Sequence, residues 1–206
     1  MVFLGAAAIV FCLLTSAAWA DASSVAAVIN RQEGLEAVAD GDTVTVTGMA
    51  ANVLTSLDLD VSGVNVIWNA TLTGDFKEAD SEDALLLVSG AGGFVISPGA
   101  VVSNDAAFNV AAVKVTGSAE LTVKGTVYAE GDYALAIYSE HGTITVEEGA
   151  KVQAPRGFAI ATYEDDGDQV GNSVINLKDK TGIAGIVTDM ENGKYTAAFY
   201  GDMIID

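Results

Sequence analysis

The chain is expected to be all-β: a right-handed, single-stranded parallel β-helix, or solenoid, preceded by a short N-terminal cap helix. Three observations carry that expectation. After residue 40 the sequence is a succession of short segments alternating apolar and polar residues, the period-two pattern of strands. Gly, Asn and Asp punctuate these segments, and no convincing helical stretch interrupts them. Similar segments also recur at one spacing in three separate registers, which is the mark of a solenoid.

The spacing is the strongest of the three. GAVVSN at Gly99, GTVYAE at Gly125 and GAKVQA at Gly149 begin 26 and 24 residues apart. Val113, Ile137, Ile160 and Ile186 follow one another at 24, 23 and 26. Leu121 and Val123 lie 23 residues before Ile144 and Val146, which lie 31 before Ile175 and Leu177. A shared period of about two dozen residues means that each coil contributes three short strands and that equivalent side chains stack along the axis. Right-handed winding follows from the crossover preference of parallel strands.

Taken in chain order, residues 1–20, MVFLGAAAIVFCLLTSAAWA, are an uncharged apolar run ending in Ala18-Trp19-Ala20, the small-x-small pattern that a signal peptidase accepts. They read as an export signal, although no Lys or Arg precedes the apolar run. A retained membrane anchor is the other reading, because the run is nearly long enough to cross a bilayer; Thr15 and Ser16 weaken it. The single cysteine, Cys12, falls inside the signal, so the exported chain would carry neither disulfide nor lipid anchor, and no integral membrane segment.

Residues 21–40 read as one amphipathic cap helix with Val25, Val28, Ile29, Leu35 and Val38 on its apolar face, weakened by Gly34. Gly41-Asp42 then turns the chain into the alternating run from Thr43 to Gly48, where the β-helix of residues 41–206 begins. Segments 64–68 and 94–96 read as further strands. About six partial coils are expected. Polar stretches at 75–83 and 164–172 read as loops inserted between coils, the second accounting for the 31-residue step.

Alternation divides inside from outside. Ala111, Leu135, Phe158 and Ala184, with Val113, Ile137, Ile160 and Ile186, are assigned to the core, leaving Lys114, Tyr138, Ala161 and Val187 outward. On the next strand set Leu121, Val123, Ile144, Val146, Ile175 and Leu177 point in, while Thr122, Thr145, Asn176, Lys124, Glu147 and Lys178 point out. A slip of one residue would exchange the two sets, so these columns also specify register.

The phrases GTITVEEGAKVQAPRGFAIAT and ELTVKGTVYAEGDYALAIYS resemble the passenger regions of autotransporter-type adhesins and related surface proteins of the pectin-lyase-like superfamily. The resemblance covers most of residues 41–206 and implies a secreted or cell-surface location, at the outer membrane for an autotransporter. Its motifs speak to fold more than to function. The chain departs from autotransporters in carrying no terminal membrane barrel. It stops inside a coil at Asp206, which reads as an N-terminal piece of a longer protein, truncated at its C-terminus, or as an open end that self-associates.

The 9 Lys and Arg and 28 Asp and Glu all follow residue 20, giving a formal charge of −19. Such a surface repels nucleic acid and anionic lipid. The 50% hydrophobic content argues for a packed core and against disorder.

A polysaccharide lyase or glycoside hydrolase is the enzymatic alternative, and its chemistry needs clustered acids with His, Arg or Lys. The only histidine, His141, precedes Gly142 without the Gly-His-Gly of the hydrolases, and the Asp165-Asp166 pair comes after it, the reverse of their order. His141 reads as a turn residue and Arg156, after Pro155, as a solvated corner residue; Arg31 falls in the cap helix. No catalytic residue and no cofactor-binding residue is assigned. Calcium is the one cofactor the chain could take, on Asp165, Asp166 and Asp168 with Glu164 and Asn172 beside them, oxygen donors around a turn-forming Gly167. That spacing matches no standard calcium loop, and a solvated insertion is the plainer reading.

Tyr133, Tyr138, Tyr163 and Trp68 could form a sugar-stacking face, although the offsets of the tyrosines do not place them in one column. Asn69-Ala70-Thr71 fits the N-glycosylation tripeptide. The expected role is structural or adhesive, with host or cell-surface glycans or proteins as partners.

Overall fold

The computed structural model describes residues 21–76, 84–105, 110–162, 173–178, 181–189 and 203–205. Asp21 caps the first helix, its carboxylate accepting from the Ser23 N–H at 3.2 Å. The helix α1 (Ala22–Ile29) buries Ala22, Val25, Ala26 and Ile29, the spacing of one helical face. It ends there. The expected continuation to residue 40 is instead strand β1 (Leu35–Asp40), antiparallel to β2 (Thr43–Val53) from Leu35 opposite Gly48 to Asp40 opposite Thr43.

Two residues decide this. The Asn30 amide takes both backbone groups of Ala37, donating to its carbonyl at 2.9 Å and accepting from its N–H at 2.8 Å, a bond that competes with helix continuation. Gly34 adopts φ +88°, outside any helix, and its carbonyl accepts from Met49 N at 2.7 Å. With β1 extended, Leu35 and Ala37 are buried while Val38 is 58% exposed, so Val38 leaves the predicted apolar face. Helix and hairpin together cap the end of the solenoid.

Beyond β2 all pairings are parallel, and the strands stack as a β-solenoid in which each face carries at least six strands in register. Three faces repeat. On the first, Val44, Val66, Phe94, Leu121, Ile144 and Ile175 lie in register, as do Val46, Trp68, Ile96, Val123, Val146 and Leu177. On the second, the column is Ala50, Leu72, Val102, Val127, Val152 and Ile183. On the third it is Leu57, Leu86, Val113, Ile137, Ile160 and Val187. Apart from Ile175, which is half-buried, every member whose side chain is described is buried, and these columns form one continuous core. Among the described residues no helix is long and apolar enough to cross a membrane.

The first face matches its sequence reading in both directions: Thr122, Thr145 and Asn176 are half-buried on the outside, and Lys124 and Lys178 are exposed. Three details differ elsewhere. Gly125 stacks between Ala100 and Ala150 rather than between Gly99 and Gly149, because Thr126 pairs with Val101 and Lys151, 25 residues either way. Gly99 and Gly149 occupy left-handed turn positions, φ +83° and +78°, in corners that are longer than the Lys124-Gly125 corner between them.

Ala184 does not reach Phe158, and Ile186 does not reach Ile160. The register jumps between Gln153 and Phe158 and shifts again between Phe158 and Ile160, so that Ala184 pairs with Gln153, Ile186 with Phe158 and Val187 with Ile160. The first jump coincides with Pro155-Arg156-Gly157, where proline lacks a ladder donor.

The third difference concerns the third face. Ala112 and Val113 both enter the core, as do Ala136 with Ile137 and Ala159 with Ile160, so strict alternation fails. Ala111 and Leu135, placed inside by the period-two reading, pack instead with Ala84, Tyr138 and Ala161 in a second cluster, with Phe158 against it. Tyr138 and Ala161 are thus outside the main core as expected, yet buried; Lys114 is also only 8% exposed.

Candidate functional site

Asp165, Asp166 and Asp168, with Glu164, Asn172 and Tyr163, lie outside the described residues. Among the described residues no group of three or more His, Cys, Asp or Glu could hold a metal ion. Trp68 is fully buried against Phe94, ring centroids 5.7 Å apart, and is no sugar platform. Tyr138 is buried with the Lys114 ammonium 5.3 Å from its ring centroid, and that ammonium pairs with Glu140 at 3.1 Å. Asn69 is exposed at a corner.

His141 does sit in a turn. Glu140 pairs with Thr116, and Val115 pairs with Val88, so His141 follows the coil position that Gly117 and Gly90 occupy in the two coils before it. All three have positive φ: +91° at Gly90, +67° at Gly117 and +66° at His141. This corner demands the left-handed region, which costs a non-glycine residue about 1–2 kcal/mol. Glycine recovers that strain but loses more backbone entropy, about 0.5–1 kcal/mol. His141→Gly is therefore expected to stabilise the fold by up to about 1 kcal/mol, read as a higher urea midpoint at unchanged slope.

The polar cluster of richest chemistry lies at the corner between the second and third faces. The strand Thr126–Ala129 buries Val127 and Ala129 and turns Tyr128 outward, between Ser103 and Gln153 of the adjoining coils. The chain then bends through Glu130, Gly131, Asp132 and Tyr133. Tyr133 has φ +57° and is 60% exposed, and its N–H donates to the Arg156 carbonyl at 3.1 Å. Gly157 beside Arg156 admits no side chain, because a Cβ there would lie 2.1 Å from the Ala134 carbonyl oxygen.

Arg156 reaches back one coil. Its Nε and Nη2 donate to the Glu130 carbonyl at 3.1 and 2.8 Å, and its Nη1 lies 3.3 Å from the Asp132 carboxylate. Nη2 also lies 3.6 Å from Glu130 Oε1. The residue is at a corner and exposed, as its sequence context suggests, but it serves as a clamp between coils rather than as a solvated turn residue. The other oxygen of Glu130 accepts from the Tyr128 hydroxyl, and Ser103 Oγ donates to Asp105 at 3.2 Å beside them.

That hydrogen bond to Glu130 pushes the Tyr128 phenol above its ordinary 10.0; partial burial and the charges of Glu130 and Asp105 add to it, and Arg156 opposes. The sign follows directly. A phenol held protonated in the fold contributes stability that is fully present below the unfolded value of about 10 and is lost as pH rises through the higher folded value. Wild-type stability is expected to fall more steeply above about pH 10 than that of Tyr128→Phe, measured by urea unfolding across that range.

Tyr128, Glu130 and Asp132 were not singled out from sequence. The usable signal was the interval of 26 residues from Glu130 to Arg156, one coil, which puts an acid above a base. No protein-family model, curated protein or solved structure matches this chain.

Proposed function

We propose that the chain is a secreted or cell-surface β-helix with a structural or adhesive role, of the kind served by autotransporter passengers within the pectin-lyase-like superfamily. The observation that supports this reading is how the coils use their cationic groups. Arg156, the sole arginine after residue 40, clamps one coil to the next, and the nearly buried Lys114 is tied to Glu140 and Tyr138. The other described lysines, Lys124, Lys151 and Lys178, are exposed; a lyase or hydrolase would set such groups beside paired acids. A stacked, acidic, rigid rod serves instead to hold a surface away from the cell.

The test immobilises the full chain and measures retention of whole cells and of beads coated with extracellular glycans, against the heat-unfolded chain. Retention without turnover supports the proposal. Release of unsaturated or reducing ends from acidic polysaccharides with calcium, abolished by His141→Ala, would replace it with the enzymatic reading.

A further inference from the structure

We infer that the Asn30 side chain is an edge guard: it occupies the backbone groups of β1 onto which a second copy of this chain would add its own β1. The inference goes beyond the adhesive reading and does not depend on it. Among the described residues β1 pairs with β2 alone, in antiparallel register. A strand in such a pair turns the N–H and C=O of alternate residues to the same edge. Both groups of Ala37 meet the Asn30 amide, at 2.8 and 2.9 Å, so they point away from β2. Leu35 and Ala39 present theirs to that same outer edge, where the Leu35 N–H donates to the Gln32 carbonyl at 3.2 Å. An edge of this kind is a template for another chain unless something blunts it.

The occupant it would take is a second copy, because β1 is complementary to itself. If Ala37 exchanges both of its bonds with the Ala37 of a copy, a two-fold axis passes between them and sets the register of the whole pair. Leu35 then lies opposite the copy's Ala39, Glu36 opposite its Val38, and Asp40 opposite its Gly34. No acid faces an acid, so the charges of β1 do not forbid the pair even in a chain of formal charge −19. Val38, 58% exposed, would gain cover from it. Protection of this edge therefore falls to the Asn30 amide, which offers a donor and an acceptor at once and satisfies Ala37 from within the chain.

Backbone conformation does not call for asparagine here. Asn30 has φ −67° and ψ −10°, right-handed helical values at the end of α1, which alanine adopts at least as readily. What alanine lacks is the reach to Ala37.

The test measures the mass of the full chain by light scattering over a range of concentrations, for wild type, Asn30→Ala and Asn30→Ser. Serine is too short to span both groups of Ala37, so it opens the same edge by a second route, and circular dichroism shows which variants fold. Each folded variant is expected to reach twice the wild-type mass at the same concentration and to return on dilution, because a two-fold pair consumes the edge it uses. Adding Ala39→Pro takes a donor from that edge while leaving the ladder to β2 intact, and should restore the wild-type mass.

A folded Asn30→Ala or Asn30→Ser chain that keeps the wild-type mass overturns the inference and leaves Asn30 as a brace within the cap. So does a doubled mass that survives Ala39→Pro, since the copies would then meet through another surface. Neither result bears on whether the chain retains cells or glycan beads.

Discussion

Replacing Ile137 with alanine is expected to cost about 2–5 kcal/mol of unfolding free energy, among the largest effects of any side-chain truncation in the chain. Ile137 is fully buried, in register with Val113 on one side and Ile160 on the other. Truncation loses the transfer free energy of three carbons and leaves a void between two neighbours. Those neighbours cannot close in, because parallel ladders fix the spacing between coils at about 4.8 Å. In a solenoid each coil is stabilised chiefly by its neighbours, so a void in the middle weakens two interfaces at once. Thr122→Ala, half-buried on the outer side of the first face, is the control, expected within about 0.5 kcal/mol. Urea unfolding of both variants reads the difference. A loss for Ile137→Ala no larger than the control's would mean that the third-face column is not a packed stack.

Columns of this kind were most fully legible in the sequence where strands alternate strictly. Leu121, Val123, Ile144 and Val146 are such a case: period two, one coil apart, no insertion between them, and the observed register is the one their spacing implies. Legibility fails where geometry departs from that simple period. Ala136 and Ile137 both face inward, so a rule of alternation put Leu135 on the wrong side. The corners around Gly99 and Gly149 absorb extra residues, so matching the glycines of three similar phrases displaced Gly125 by one position. In residues 35–40, the same apolar spacing serves a helix or a strand, and the choice falls to Asn30 and Gly34, whose tertiary contacts no local pattern contains. The candidate corner was hidden for a related reason. Tyr128, Glu130 and Arg156 look like scattered polar residues until the coil length places the last beneath the others.

Glycine positions give the second large effect, and an adjacent pair isolates it. Gly92→Ala is expected to cost about 3 kcal/mol, the upper range of overpacking, because an added Cβ would lie 1.8 Å from the Val61 carbonyl oxygen and 2.4 Å from that of Val64. Both obstacles are backbone of the preceding coil and cannot swing aside. Gly92 also accepts from Glu120 N at 2.9 Å, and Gly93 N donates to Val64 O at 3.1 Å, so pushing this corner outward strains hydrogen bonds to the coils on both sides. Gly93→Ala meets only the Asn65 amide oxygen at 2.7 Å, the end of an exposed side chain that can rotate away. That variant is expected within about 0.5 kcal/mol of wild type. One residue thus separates a severe substitution from a silent one, and only stacked coils produce that contrast; equal urea midpoints for the two variants would deny that the Gly92 backbone touches its neighbour.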